Sequence, residues 1–216
     1  MSIPTQSTIA ILGGAGKAGQ PFVQEALAAG YHVRVLLRHP ERFNLTHERL
    51  EIIQGDARHP DSVHELIRGC DALLSTLGHP KGEATPIMAA VTEQIVAILS
   101  ALGIRRYVVV SSLFATGREQ LDAQTRQAAA YMEAHFPQMM ADRRREFRIL
   151  AESGLDWTYV RIPFLVQHPA TGIVDVNVNH LPGQQITALD LAHFLIELLR
   201  NQDYVQQALF VANRSA

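Results

Sequence analysis

A chain of 216 residues, 47% apolar and 19% charged with a formal net charge of −2, is long enough for a well-cored α/β domain. It is too nearly neutral to carry the electrostatic footprint of a nucleic-acid partner. The one cysteine, Cys70, excludes an internal disulfide, and no apolar run approaches the roughly 20 residues that span a bilayer. The opening MSIPTQST has neither a basic nor an apolar leader segment, so the expectation is a cytoplasmic protein with no membrane contact.

The first apolar run, IAILG at 9–13, ends in glycines and meets a helical stretch at about 17–29. HVRVLLR at 32–38 and LEIIQGD at 50–56 read as the next two strands. A helix at 61–68 leads to DALLSTLG at 71–78, and another at 85–102 leads to RYVVVSS at 106–112. The segment 113–138 is polar, alanine-rich and ended by Pro137, and reads as a long loop or lid with one helix. A helix at 139–153 feeds DWTYVRI at 156–162, and a last one at 187–200 feeds QALFVAN at 207–213. Such alternation, with strands of near-continuous Val, Ile and Leu, predicts a doubly wound α/β fold. Its sheet is mostly parallel, with helices on both faces.

The glycine run is the first chemical signal. Gly13, Gly16 and Gly19 stand at GxxGxxG spacing between a strand and a helix, which is the context a dinucleotide site requires. The first glycine permits the turn, the second lets backbone approach a pyrophosphate, and the third packs helix on strand. The helix N-terminus then offers unpaired N–H groups to the phosphates. The loop residues Gly13, Ala15, Gly16, Lys17, Ala18 and Gly19 are therefore expected to bind cofactor. The whole of 1–216 is read as one NAD(P)-binding Rossmann-like domain with its lid at about 113–138.

About twenty residues past the glycines, an NAD-binding fold carries an acid for the ribose 2′-OH. Here the position holds Arg38, with Arg42 behind it, so NADP(H) is expected in preference to NAD(H). Asp56 and Ala57 end the third strand, where the aspartate can accept from the adenine amino group. Thr76, Leu77 and Gly78 end the fourth, where small residues let backbone lie beside the cofactor. The pairs His39-Pro40, His59-Pro60, His79-Pro80 and His168-Pro169 each follow a strand; none has zinc-ligand spacing, and no metal is expected.

These motifs, with QGDARHPDSV (54–63), VVVSS (108–112), SGLDWTYVRIP (153–163) and QITALDLAHFLIELL (185–199), resemble the atypical short-chain dehydrogenase/reductases. The resemblance is strongest to the NAD(P)H-binding group of the biliverdin reductase and flavin reductase type, and runs over nearly the whole chain. It implies that Ser111 and Ser112 lie beside the nicotinamide and that Ile162, Pro163 and Phe164 form its far wall. A serine at the Ser112 position belongs to the active site in that group, whereas its later histidine falls at Phe164 here. The Arg143-Arg144-Arg145 run lies where relatives carry a basic residue facing the nicotinamide ribose, and Arg143 is taken for that contact.

Most short-chain dehydrogenases use Tyr-x-x-x-Lys as a proton relay. Tyr31, Tyr107, Tyr131, Tyr159 and Tyr204 are followed four places on by Val35, Ser111, His135, Pro163 and Ala208, so no tyrosine has its lysine. The chain's two lysines are Lys17 and Lys81. A ketone would need such an acid, but a conjugated ring spreads the negative charge and water can complete the protonation. The expected activity is therefore NAD(P)H-dependent hydride transfer to a flavin, quinone or similar small-molecule acceptor, with flavin a substrate and not a bound cofactor. Ser112 would orient the reactants, and Phe114, Phe164, Tyr131 and Phe136 would supply a stacking surface. The alternatives are an NmrA-like non-catalytic redox sensor, or an atypical carbonyl reductase, isomerase or dehydratase using Ser112 or Tyr131 as acid. A monomer or homodimer is expected.

Overall fold

The computed structural model describes residues 3–79 and 85–214; Pro80 of the third His-Pro pair and Lys81 lie outside the described residues. The chain runs β1 (Thr8–Leu12), α1 (Gly19–Ala28), β2 (His32–Leu37), a 3₁₀ turn (Pro40–Arg42), β3 (Leu50–Gln54), α2 (Pro60–Ile67) and β4 (Ala72–Ser75). It continues through α3 (Met88–Leu102), β5 (Arg106–Ser112), α4 (Ala123–His135), α5 (Pro137–Glu152) and β6 (Asp156–Ile162). Last come β7 (Phe164–Val166), β8 (Val174–Asn177), β9 (Gln185–Thr187), α6 (Ala188–Arg200) and β10 (Gln207–Asn213).

The period-2 alternation of the strands builds two cores. Ile9, Ile11, Val108 and Val110 face α1 and α6, where Phe22, Val23, Leu191 and Leu195 cover them. Ala10, Leu12, Tyr107 and Val109 face α2, α3 and α5, against Leu66, Ile95 and Phe147. Burial on both faces explains why β4 and most of β5 contain no exposed residue. The strands join as β3-β2-β1-β4-β5-β6-β10-β8, all parallel except β8, which pairs antiparallel with β10. The order reverses between β1 and β4, where α/β folds open a crevice at the strands' C-terminal ends.

The doubly wound α/β Rossmann fold and its mostly parallel sheet are thus as the alternation predicted. Three short strands escaped it. β7 and β9 form a separate parallel pair, and β8 extends the sheet edge beyond β10. Residues 113–138 do hold one helix, α4. Pro137 does not merely end it: the proline occupies the first turn of α5, and Phe136 caps both helices. Asp122 starts α4 by accepting from Thr125 N at 2.7 Å.

Candidate active site

Gly13 closes β1 with φ +79°, and a Cβ there would stand 2.8 Å from the Thr76 backbone carbonyl. The glycine loop therefore lies directly on the end of β4. Gly16 N donates to Gly13 O at 2.9 Å, completing the turn, and a Cβ on Gly19 would stand 2.2 Å from that same oxygen. A Cβ on Gly16, by contrast, would meet only Gly13 O, at 3.2 Å. Its open side is the cradle a pyrophosphate needs. The N-cap of α1, Ala18, makes no side-chain cap; in the first turn Gln20 N already donates to Gly16 O at 2.9 Å and Pro21 has no N–H, which leaves the Gly19 N–H available to an anion. The residues present fit the phosphates of a dinucleotide.

Beyond the loop lies a cleft of about 350 Å³ along the C-terminal ends of β1 to β4. It brings together Gly13, Ala15, Gly16, Arg38, Asp56, Ala57, Thr76, Leu77 and Gly78. Leu36, Leu37, Gly55, Arg58, His79 and Ile87 complete its lining. Arg58 was not singled out from the sequence, although it stands two places after Asp56. Its guanidinium grips that carboxylate, Nη2 to Oδ2 at 2.7 Å and Nε to Oδ1 at 3.1 Å. The Arg58 contact holds the Asp56 carboxyl below its usual range. Asp56 thus reaches the cleft as an anion with an arginine already on it. Arg42 does not line the cleft; it extends into solvent beside Glu41.

Lys17, Ala18 and Gly19 do not line this cleft, and Lys17 O accepts from Gln167 Nε2 at 3.2 Å. Ser111 and Ser112 end β5, paired in register with Arg161 and Ile162 of β6. Ser112 Oγ is buried and has no hydrogen-bond partner among the described residues, an arrangement that costs about 1–3 kcal/mol until a ligand or water pairs it. Ile162 is buried, Pro163 half-buried and Phe164 80% exposed, so the proposed far wall ends in an uncovered ring.

The arginine run separates into three roles. Arg144 pairs with Glu133 and Arg145 with Glu93 at the surface. Arg143 is 4% exposed, and its Nη1 donates to Glu146 at 2.8 Å, so the structure gives it a buried carboxylate partner. Phe114 is no stacking surface for an acceptor, because it is buried in edge contact with Phe147 and Tyr159. Tyr131 and Phe136 are exposed at 57% and 46%, and Tyr131 stacks on His135 with centroids 3.9 Å apart. Among the described residues, no group of three or more His, Cys, Asp or Glu is arranged to hold a metal, and no helix is long and apolar enough to cross a membrane.

Residues 13–202 match the family model described as NAD(P)H-binding. Over 153 residues the chain is 25% identical to the (4-alkanoyl-5-oxo-2,5-dihydrofuran-3-yl)methyl phosphate reductase of Streptomyces griseus, covering 71% of this chain and 46% of that one. The chain spans under half the length of the curated relatives it matches. A short-chain dehydrogenase/reductase from Veillonella parvula, solved with NADP, has a TM-score of 0.78 at 18% identity, covering 96% of this chain and 94% of that one. ChuY, the anaerobillin reductase of Escherichia coli O157:H7, has a TM-score of 0.78 at 20% identity, covering 97% and 98%. At these identities the structural likeness is one of fold.

Proposed function

Because the chain belongs to the NAD(P)H-binding family, we propose that it is an NADPH-dependent reductase passing hydride to a flavin, a quinone or a similar conjugated acceptor. The observation that carries this reading is the missing proton relay: no tyrosine is followed four places on by lysine. Reduced nicotinamide supplies the two electrons as hydride. A flat conjugated acceptor spreads the arriving charge, and water supplies the proton, so the site need only hold the two rings together. Proximity and orientation of that kind contribute about 7–11 kcal/mol in well-aligned systems. Phe164, exposed at the start of β7, and the unpaired Ser112 hydroxyl are the groups suited to stacking and orientation. Two proteins with reductase names, the Streptomyces enzyme by sequence and ChuY by fold, point the same way.

The test is NADPH oxidation with FMN, a quinone and a simple ketone, using wild type, Ser112→Ala and Tyr131→Phe. Loss of an orienting hydrogen bond of roughly 0.5–1.5 kcal/mol should slow the Ser112→Ala enzyme about 2- to 13-fold. Tyr131→Phe should retain its rate. A clear preference for the ketone, or a thousandfold fall in Tyr131→Phe, would reveal an acid catalyst and refute the reading. Tight NADPH binding without turnover on any acceptor would leave the non-catalytic sensor.

A further inference from the structure

Behind the end of β5, on the face covered by α3 and α5, polar side chains meet where the core is otherwise apolar. Glu146 is 2% exposed, and its carboxylate accepts from Thr92 Oγ1 at 3.3 Å, Arg143 Nη1 at 2.8 Å and the Tyr159 hydroxyl at 2.5 Å. The Tyr159 oxygen also lies 2.9 Å from Ser111 Oγ. The directions of these bonds follow from proton counting. Arg143 has only donors, so it holds Glu146 as an acceptor. Tyr159 has one proton, which goes to the carboxylate. Ser111 must then donate its own proton to the Tyr159 oxygen, and its hydroxyl is committed to the interior. Period-2 alternation turns the next side chain, Ser112, to the opposite face, where its oxygen has no partner among the described residues.

We propose that Tyr159 and Glu146 are positioning residues: by locking Ser111 inward they fix the last residues of β5 and aim the uncommitted Ser112 hydroxyl at the nicotinamide half of the cofactor. The two serines thus divide the work. Ser111 is the tether, and Ser112 is the group that meets ligand. The inference rests on the reading of the cleft at the strands' C-terminal ends as a dinucleotide site, and it needs no assumption about the acceptor.

Binding of NADPH and of 2′,5′-ADP, which lacks the nicotinamide half, distinguishes positioning from bulk structure. Tyr159→Phe should weaken NADPH about 2- to 13-fold, the range set by one neutral hydrogen bond, and leave 2′,5′-ADP unchanged. Ser111→Ala cuts the same link from its small end and should behave alike, which guards against a folding defect particular to the tyrosine. Ser111→Thr, which keeps a hydroxyl, should restore the affinity. Combining Tyr159→Phe with Ser112→Ala should cost no more than Ser112→Ala alone, since contacts in one chain are not additive. Equal losses for both ligands, no loss for either, or additive losses in the double variant would overturn the proposal. Wild type that binds neither ligand would overturn the dinucleotide site itself.

Discussion

Gly16 and Gly19 lie three places apart in one loop, yet substitutions at them should fail for different reasons. A methyl group on Gly19 has no room, with Gly13 O at 2.2 Å and Thr76 Oγ1 at 2.7 Å. Gly19→Ala should therefore melt well below wild type, by the about 1–3 kcal/mol typical of overpacking or more. Gly16 meets only Gly13 O, at 3.2 Å, a tight contact relieved by a few tenths of an ångström, so Gly16→Val should still fold and lose NADPH, because the added side chain occupies the phosphate cradle. Thermal unfolding alongside NADPH titration separates the two; a folded Gly16→Val that still binds NADPH would place the phosphates elsewhere. Arg38 carries a parallel expectation on the other side of the cleft. A charge-assisted contact with the 2′-phosphate is worth roughly 1.5–3 kcal/mol, or about 10- to 150-fold in favour of NADPH over NADH. Arg38→Ala should narrow that gap, and the neighbouring Arg58, held by Asp56, should keep part of it. Equal affinities of wild type for the two cofactors would exclude the preference.

Among the elements, the junction of α6, β10 and the turn before β8 depends on one carboxylate. Asp190 is 1% exposed and accepts from Thr171 N and Oγ1, Gly172 N, Thr187 Oγ1 and Asn213 Nδ2 at 2.7–3.0 Å. Burial alone would raise its carboxyl, but these donors outweigh it and hold the group down at about 2, against 3.8 ordinarily. A depressed acid stabilises the fold above its unfolded value and loses that contribution as pH falls through the folded one. Stability should therefore fall between about pH 4 and pH 2, and the share due to Asp190 should vanish in Asp190→Asn. Urea unfolding across that range measures it; identical pH slopes in the two proteins would discount Asp190. None of this was legible in the sequence, where Thr187 and Asp190 read only as the start of a helix. The long strands and helices were legible because their apolar patterns last for a full element. β7 and β9, three residues each, are too short to show a period. β8 is held by pairing with β10 along the sheet edge, a long-range contact. At the site, the glycine turn and the strand ends were readable because their chemistry is local. The Arg58–Asp56 grip and the Glu146 network depend on side-chain directions that spacing does not specify.

At the scale of the whole molecule, the segment 113–138 is fastened to the sheet through a buried charge. Glu119 accepts from the backbone of Thr116, Gly117 and Arg118, and pairs with Arg161 on β6. Arg161 is wholly buried; it also donates to Phe114 O and Ala208 O at 3.0 Å, and lies 3.6 Å over the Phe210 ring. One guanidinium thus joins the start of that segment to β6 and β10. Toward its other end the segment makes a lighter contact, Glu133 with the half-exposed Arg144. Removing Glu119 leaves the arginine charged and buried without its partner, a defect that costs about 3–5 kcal/mol. In a chain of this size each kcal/mol shifts Tm by about 2–4 °C, so Glu119→Ala should melt roughly 6–20 °C lower. Glu133→Ala removes only a surface pair, worth about 0–1 kcal/mol, and should melt within about 4 °C of wild type. Scanning calorimetry of the two variants against wild type decides it. Equal small shifts would mean that the segment rests on the sheet without depending on Glu119.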